Sequence, residues 1–400
     1  MAQSPYVRRF DDRKLPRPRG SPPPLTRLDL ELTERCNNNC LHCSINLPAD
    51  DAQAMARELS SEEIQAILQE AAALGCLTVR FTGGEPLLRP DFEALYLFAR
   101  RLGLKTVIFT NATLLHRHLA DRFARIPPLE PIEITLYGMH RESYEAVTRN
   151  PGSFRAAWRG INLLLERKIP FIVKGTLLPP NRGEKDELER WAARLPWMDG
   201  PPPLAMSFDF RTRRDNGKNS LIQSLRLPPH EILKELTRKP DLYRSEMKKF
   251  CERFLYPPGR KTFSCGAGRG SGAVDAYGLF QLCMQVRHPE TVYDLRRGSL
   301  KEAWQSFAPA IRNREATDPL YLARCANCFL KALCEQCPGK AWAEHGTLDT
   351  PSEYFCAIGH AQARYLGLLQ EGEHGWEVRN WRRRVRKFCR NGRPTLKPEE

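Results

Sequence analysis

Four hundred residues, 41% of them apolar, can bury a substantial core, which excludes disorder throughout and suggests two domains or one large domain with an appendix. No apolar run reaches the roughly 20 residues that cross a bilayer, and residues 1–20 lack the apolar centre of a secretion signal, so a cytoplasmic protein is expected. The formal charge of +15 gathers at the ends, in Arg8, Arg9, Arg13, Lys14, Arg17 and Arg19 and again over residues 379–397; such runs read as solvated tails in preference to nucleic-acid-binding arms.

Residues 1–24 close on Ser21-Pro22-Pro23-Pro24, which cannot continue a helix or a ladder and marks an extended lead-in. Over residues 25–215, short β-type runs alternate with amphipathic stretches: Leu28–Leu32, Ser61–Leu74, Leu77–Thr82, Asp91–Leu102, Thr106–Thr110, Leu114–Ala124, Ile132–Tyr137, Phe154–Glu166, Phe171–Leu177, Glu184–Leu195 and Leu204–Phe210. This rhythm is an α/β pattern of about six β/α units on a parallel sheet, whose ligands bind at the C-terminal ends of the strands. The loops richest in chemistry, Thr33–Cys43, Gly83–Pro86, Asn111 and Gly138, all start at such ends. Residues 216–264 read as a connection with a helical segment over His230–Phe254. Residues 265–360 turn to short β-like runs, turn residues and seven cysteines, the character of a small domain held by metal more than by an apolar core; residues 361–400 read as a helix and a basic tail.

Thirteen cysteines in a chain without a secretion signal point to metal or cluster ligation, and ten of them fall between Cys36 and Cys43 or between Cys265 and Cys356. In Cys36-Asn-Asn-Asn-Cys40-Leu-His-Cys43, three soft thiolates on one loop can grip three corners of an iron-sulfur cube and leave the fourth iron open. A structural zinc knuckle is the alternative, with His42 as its fourth ligand.

The spacing C-x3-C-x2-C after a first strand, followed about forty residues later by Gly83-Gly84-Glu85-Pro86 after a second, resembles the radical S-adenosylmethionine (SAM) superfamily. The resemblance implies a partial (β/α)6 barrel, a [4Fe-4S] cluster on Cys36, Cys40 and Cys43, and SAM as cofactor. By position, Gly83, Gly84, Glu85 and Pro86 would hold the SAM amino group, with the Glu85 carboxylate as an acceptor. Asn111 and Thr135 would contact ribose or methionine, Arg149 would meet the carboxylate, and His42 would lie near the adenine. The implied chemistry is reductive cleavage of SAM to a 5′-deoxyadenosyl radical that abstracts hydrogen from substrate, with a one-electron donor such as flavodoxin or ferredoxin as partner.

A second array, Cys265, Gly278-x4-Cys283, Cys325-x2-Cys328-x5-Cys334-x2-Cys337 and Cys356, resembles the SPASM domain and implies two auxiliary [4Fe-4S] clusters. Its quartet ends C-x2-C where that family has C-x3-C, which bears on Cys337. Carried over, Cys325, Cys328, Cys334 and Cys356 hold an outer cluster, while Cys265, Cys283 and Cys337 hold an inner one that lacks a ligand; an iron open to substrate is preferred over completion by Cys251. In isolation this array also fits two zinc sites. Cys76 reads as core and Cys389 as free. Met284 stands where members that oxidise sulfatases carry Asp, so sulfatase maturation is not expected. The expected substrate is a ribosomally made peptide receiving a thioether or C–C crosslink. A small cofactor precursor such as a tetrapyrrole is the alternative, and a zinc-dependent nucleic-acid-binding protein the alternative of another class.

Overall fold

Strict alternation along the first strand, β1 (Arg27–Thr33), decides how the sheet is used. Leu28, Leu30 and Leu32 join the apolar core, while Asp29, Glu31 and Thr33 turn to the other face. Parallel strands covered on both faces are apolar throughout; this one has a polar concave side. The structure is a computed structural model that describes residues 24–205, 217–255 and 257–390. The lead-in through residue 23, the second half of the strand expected over Leu204–Phe210, the charged stretch from Arg213 to Asn216 and the tail beyond residue 390 lie outside the described residues.

After β1 come β2 (Thr78–Gly83), β3 (Lys105–Thr110), β4 (Ile132–Thr135), β5 (Phe171–Thr176) and β6 (Leu204–Ala205), each parallel to the one before. The intervening helices are α1 (Ser61–Ala73), α2 (Phe92–Arg101), α3 (Arg117–Arg125), α4 (Arg141–Thr148), α5 (Ser153–Glu166) and α6 (Lys185–Ala192). They form where the apolar period is helical: α1 starts at a Ser60/Glu63 capping box and buries Ile64, Ile67, Leu68 and Ala71. Helix α4 was not expected from the sequence; left-handed backbone at Arg149 (φ 49°) and Gly152 (φ 85°) separates it from α5.

The concave face carries matched charges. Arg80 lies 3.2 Å from Asp29, Lys174 lies 3.1 Å from Glu133, and both cations sit over the Phe109 ring.

The C-terminal region departs from expectation in three ways. First, β7 (Ser271–Val274) pairs in parallel with β1, and β8 (Leu279–Gln281) and β9 (Tyr293–Asp294) follow antiparallel, so among the described residues one nine-stranded sheet runs β9-β8-β7-β1-β2-β3-β4-β5-β6. Phe280, Leu282, Trp304 and Ala308 share the core of β1 to β5, and the stretch beginning at Cys265 is anchored by apolar packing at its start. Second, the segment expected over His230–Phe254 is two helices, α7 (Pro229–Leu236) and α8 (Pro240–Phe254), because Pro240 restricts Lys239 and favours a new first turn. Third, after α9 (Pro338–His345) and α10 (Glu353–Tyr365), the first part of the expected basic tail forms α11 (Trp381–Arg390). Trp381, Val385 and Phe388, at i, i+4 and i+7, bury against a second apolar cluster with Tyr243, Phe329 and Leu368.

Candidate functional site

The cysteine loop leaves the C-terminal end of β1 alongside the glycine turn that ends β2. Gly84 N donates to Thr33 O at 2.7 Å and Glu85 N to Arg35 O at 3.0 Å. A Cβ on Gly83 would stand 2.1 Å from Thr33 O, and one on Gly84 would stand 2.2 Å from Arg35 O. These glycines are there because two backbones touch, and the contact aims the cysteine loop. Arg35 braces the approach by pairing with Glu58 at 2.8 Å and donating to Ala49 O at 2.8 Å.

Between Cys36 and Cys40, each asparagine is held from a different direction. Asn37 donates to Thr113 Oγ1 at 2.7 Å and accepts from Asn111 Nδ2 at 3.0 Å. Asn150 Nδ2 donates to Asn37 O and Asn38 Oδ1, Asn46 Nδ2 donates to Asn38 O, and Arg149 and Lys218 reach Asn39. Backbone bonds from Asn39 N to Thr148 O and Leu41 N to Val147 O complete the frame. None of these anchors except Asn111 and Arg149 was singled out from the sequence; an Asn run reads as filler until its partners are known.

The thiols of Cys36, Cys40 and Cys43 lie close enough to feel one another's charge. Burial, then the Cys43 charge, pushes Cys40 up to about 12, and burial, then Glu85, pushes Cys36 higher still. The Asn38 N–H donates to Cys36 Sγ at 3.4 Å, and Asn111 Nδ2 stands 3.8 Å from the same sulfur. His42 is half-buried with its pKa lowered to about 4, by desolvation first and the Lys218 charge second; its ring meets Thr176 Oγ1 at 3.3 Å and Tyr137 edge-on at 5.5 Å. Among the described residues no three His, Cys, Asp or Glu side chains are arranged to hold a single metal ion, which is not the knuckle that His42 would complete. Three soft thiols on a braced loop fit the base of a cube.

Glu85 is held by three donors of the protein itself. It has no exposed surface, and its carboxylate accepts from Thr110 Oγ1 (2.8 Å), Leu87 N (3.0 Å) and Asn111 N (2.8 Å). Burial raises its pKa to about 7 against these three donors. Its side chain ties the glycine turn to the end of β3. Pro86 opens the short turn Pro86–Leu88 and is buried. Thr135 ends β4, half-buried, on the same face as Glu133. Arg149 caps α4 and grips Asn39 at 2.9 and 3.0 Å, which makes it part of the loop frame.

The C-terminal cysteines separate into sets. Cys325, Cys328, Cys334 and Cys356 line one cavity with His360 and Trp376. Burial followed by mutual charge pushes Cys328 up to about 12 and Cys325 to about 11. Cys283 is pushed up to about 12 by burial, then by Cys337 and Cys265. Cys251 feels Cys389 instead, and lies in the second apolar cluster. Cys389 Sγ is 3.7 Å from Lys248 O, and Cys76 is buried with its Sγ 3.2 Å from Thr78 O.

One residue couples these regions and carried no sequence signal. Arg287, four positions after Cys283, donates to Glu34 Oε1 at 2.8 Å and to Glu31 on the concave face of β1. Tyr277 OH donates to the other Glu34 oxygen at 2.9 Å. Glu34 lies two residues before Cys36, so the segment bearing Cys283 is bolted to the root of the first cysteine loop.

The radical SAM superfamily model matches residues 30–192. A Fe-coproporphyrin III synthase of Methanosarcina barkeri is 34% identical over 376 residues, covering 83% of this chain and 89% of that protein. The chain belongs to the radical SAM superfamily. Two further relatives are an AdoMet-dependent heme synthase of the same organism, 25% identical with 79% and 92% of the two chains covered, and a PqqA peptide cyclase of Rhizobium meliloti, 31% identical over 43% of this chain and 45% of that one. Among solved structures, anSMEcpe with bound AdoMet superposes with a TM-score of 0.57 at 13% identity, covering 92% and 96% of the two chains. SuiB of Streptococcus suis bound to S-adenosylmethionine gives 0.54 at 15% identity, covering 76% and 69%. The fold is thus that of these radical SAM proteins, and membership brings a [4Fe-4S] cluster and SAM as cofactors.

Proposed function

We propose that this radical SAM enzyme modifies a ribosomally made peptide, using one [4Fe-4S] cluster on Cys36, Cys40 and Cys43 and two auxiliary clusters on the C-terminal cysteines. The observation that carries the reading is the three-thiol loop, braced by residues 46, 111–113, 147–150 and 218, at the C-terminal mouth of a parallel sheet. When bound, the cluster supplies the electron that splits SAM and so yields the radical that takes a substrate hydrogen.

The chain's own part is positioning and exclusion of water. Asn37, Asn38 and Asn39 fix where the three sulfurs stand, and the Gly83–Gly84 turn with Glu85 offers acceptors to the SAM amino group. Asn111 lies beside Cys36 and Thr135 at the mouth, suited to contact the nucleoside or methionine part. The buried Tyr137 and the half-buried His42 close the side next to Cys40 with aromatic surface. Cys325, Cys328, Cys334 and Cys356 form the outer auxiliary set; Cys265, Cys283 and Cys337 form the inner one, with one position left for substrate. A flavodoxin or ferredoxin supplies electrons.

Peptide as substrate is supported by the peptide cyclase relative and by the peptide complexes of the structural neighbours, SuiB with SuiA and anSMEcpe with Cp18Cys. The concave face agrees: Arg80, Lys174 and Arg287 are each matched by carboxylates, leaving a near-neutral floor ill-suited to a polycarboxylate. A tetrapyrrole substrate is the second reading, favoured by the two relatives that span most of this chain. The deciding test incubates reduced holoenzyme and SAM with a candidate precursor peptide or with a haem-precursor tetrapyrrole and follows mass. A peptide shifted by the loss of two hydrogens supports the first reading; a changed tetrapyrrole with an unchanged peptide overturns it.

A further inference from the structure

Helix α11 has two faces of opposite character. Trp381, Val385 and Phe388 are buried, while Arg379 just before the helix and Arg382, Arg383, Arg386, Lys387 and Arg390 along it are exposed. Among the described residues, none of these six cations forms an ion pair, whereas Arg384, on the flank, is paired with Glu373 at 2.8 Å. The neighbouring helix α8 packs against α11 and brings one exposed carboxylate, Glu252, beside Arg382, Arg386 and Arg390, which leaves the patch strongly cationic. A concentration of unpaired like charge costs self-repulsion and raises the local density of oppositely charged partners.

What lies beneath the helix gives the patch a direction. The Trp381 ring stacks on Phe329 at 5.4 Å with an interplanar angle of 10°. Phe329 directly follows Cys328, and both belong to the same buried cluster as Trp381. The Cys328 thiol is one of the four that line the outer cavity. One aromatic pair thus joins the cationic helix to the residue that follows Cys328.

We propose that α11 with the adjoining face of α8 is the docking surface for an acidic one-electron carrier protein, which exchanges electrons with the group held by Cys325, Cys328, Cys334 and Cys356. The proposal rests on the reading of those cysteines as an auxiliary-cluster site. In each exchange one electron leaves the carrier's reduced cofactor and is taken up at the quartet, and no bond is made or broken. Charge complementarity suits such a partner, because redox encounters are small and governed by electrostatic steering. Nucleic acid would also be drawn to the cations, but it has no use for an aromatic pair next to Cys328.

The test uses reconstituted holoenzyme and a flavodoxin as the acidic carrier. Arg383→Glu, Arg386→Glu and Lys387→Glu together reverse the exposed face and leave Trp381, Val385 and Phe388 untouched; the triple Arg383→Lys, Arg386→Lys, Lys387→Arg keeps the charge. Flavodoxin binding is followed by its flavin fluorescence at 50 and 200 mM salt, and 5′-deoxyadenosine formation is followed with dithionite or with reduced flavodoxin. Wild type and the charge-keeping variant are expected to bind flavodoxin with affinity that falls as salt rises. The reversed variant is expected to lose at least tenfold in affinity and in flavodoxin-driven rate, with its dithionite-driven rate unchanged. Equal flavodoxin affinity in the reversed variant, or no binding to wild type, overturns the docking surface. Displacement of flavodoxin by an equimolar 20-base-pair DNA duplex overturns it in favour of nucleic acid. Absence of dithionite-driven cleavage in wild type would instead count against the enzymatic reading itself.

Discussion

The first cysteine loop and the outer cysteine quartet present thiols in two different ways. The loop is framed by hydrogen bonds from residues 46, 111–113, 147–150 and 218. The quartet is drawn from local turns: Cys328 N bonds Cys325 O at 3.2 Å, Cys334 N bonds Leu330 O at 3.1 Å, and Arg324 donates to Cys356 Sγ at 3.5 Å while pairing with Glu353 at 2.6 Å. Its thiols face each other across a cavity, and burial makes their charged forms costly without a metal. A catalytic cluster that must leave one iron open calls for a protein frame, whereas a fully ligated cluster can serve as its own frame.

The largest effect that would sharpen this contrast comes from removing metal. Chelation under anaerobic conditions should abolish hydrogen-exchange protection over α10 and residues 325–337 while the amides of Asn39 and Leu41 stay protected. Equal loss in both regions would break the comparison. Arg287→Ala comes next, since it strands Glu31 and Glu34 without their buried partner; a loss of about 3–5 kcal/mol in urea unfolding is expected, with weakened coupling of the two regions. Glu85→Gln places an amide N–H₂ against donors that now meet an acceptor, and should cost roughly 1–3 kcal/mol; a SAM affinity lowered only in proportion to the lost fold would limit Glu85 to bracing the glycine turn. The smallest change, Asn150→Ala, removes two bonds to the loop and should cost about 0.5–1.5 kcal/mol, read by thermal unfolding.

The features legible in the sequence were those with a fixed local spacing. The C-x3-C-x2-C loop, the glycine pair and the β/α rhythm are short-range patterns. The illegible part depends on partners far along the chain. Arg287 meets Glu34 across 253 positions, and the Asn37–Asn39 run makes sense only once residues 111–113, 149–150 and 218 converge on it. Two of the donors on Glu85 were illegible for a related reason, because they arrive from the end of the next strand. In α11 the cations outnumbered the apolar residues, yet Trp381, Val385 and Phe388 already stood at helical spacing. The polar concave face was readable in principle from the alternation in β1, since a parallel strand covered on both sides would not carry Asp29 and Glu31.

The account stands most directly on the iron and product balance of one variant. Anaerobically reconstituted wild type should hold about twelve irons, three cubes of four, and form 5′-deoxyadenosine with dithionite and SAM. The variant Cys36→Ala, Cys40→Ala, Cys43→Ala should lose about four of those irons and all of that product while its circular dichroism is unchanged. Continued formation of 5′-deoxyadenosine by this variant would contradict the assignment of the loop as the site of SAM cleavage.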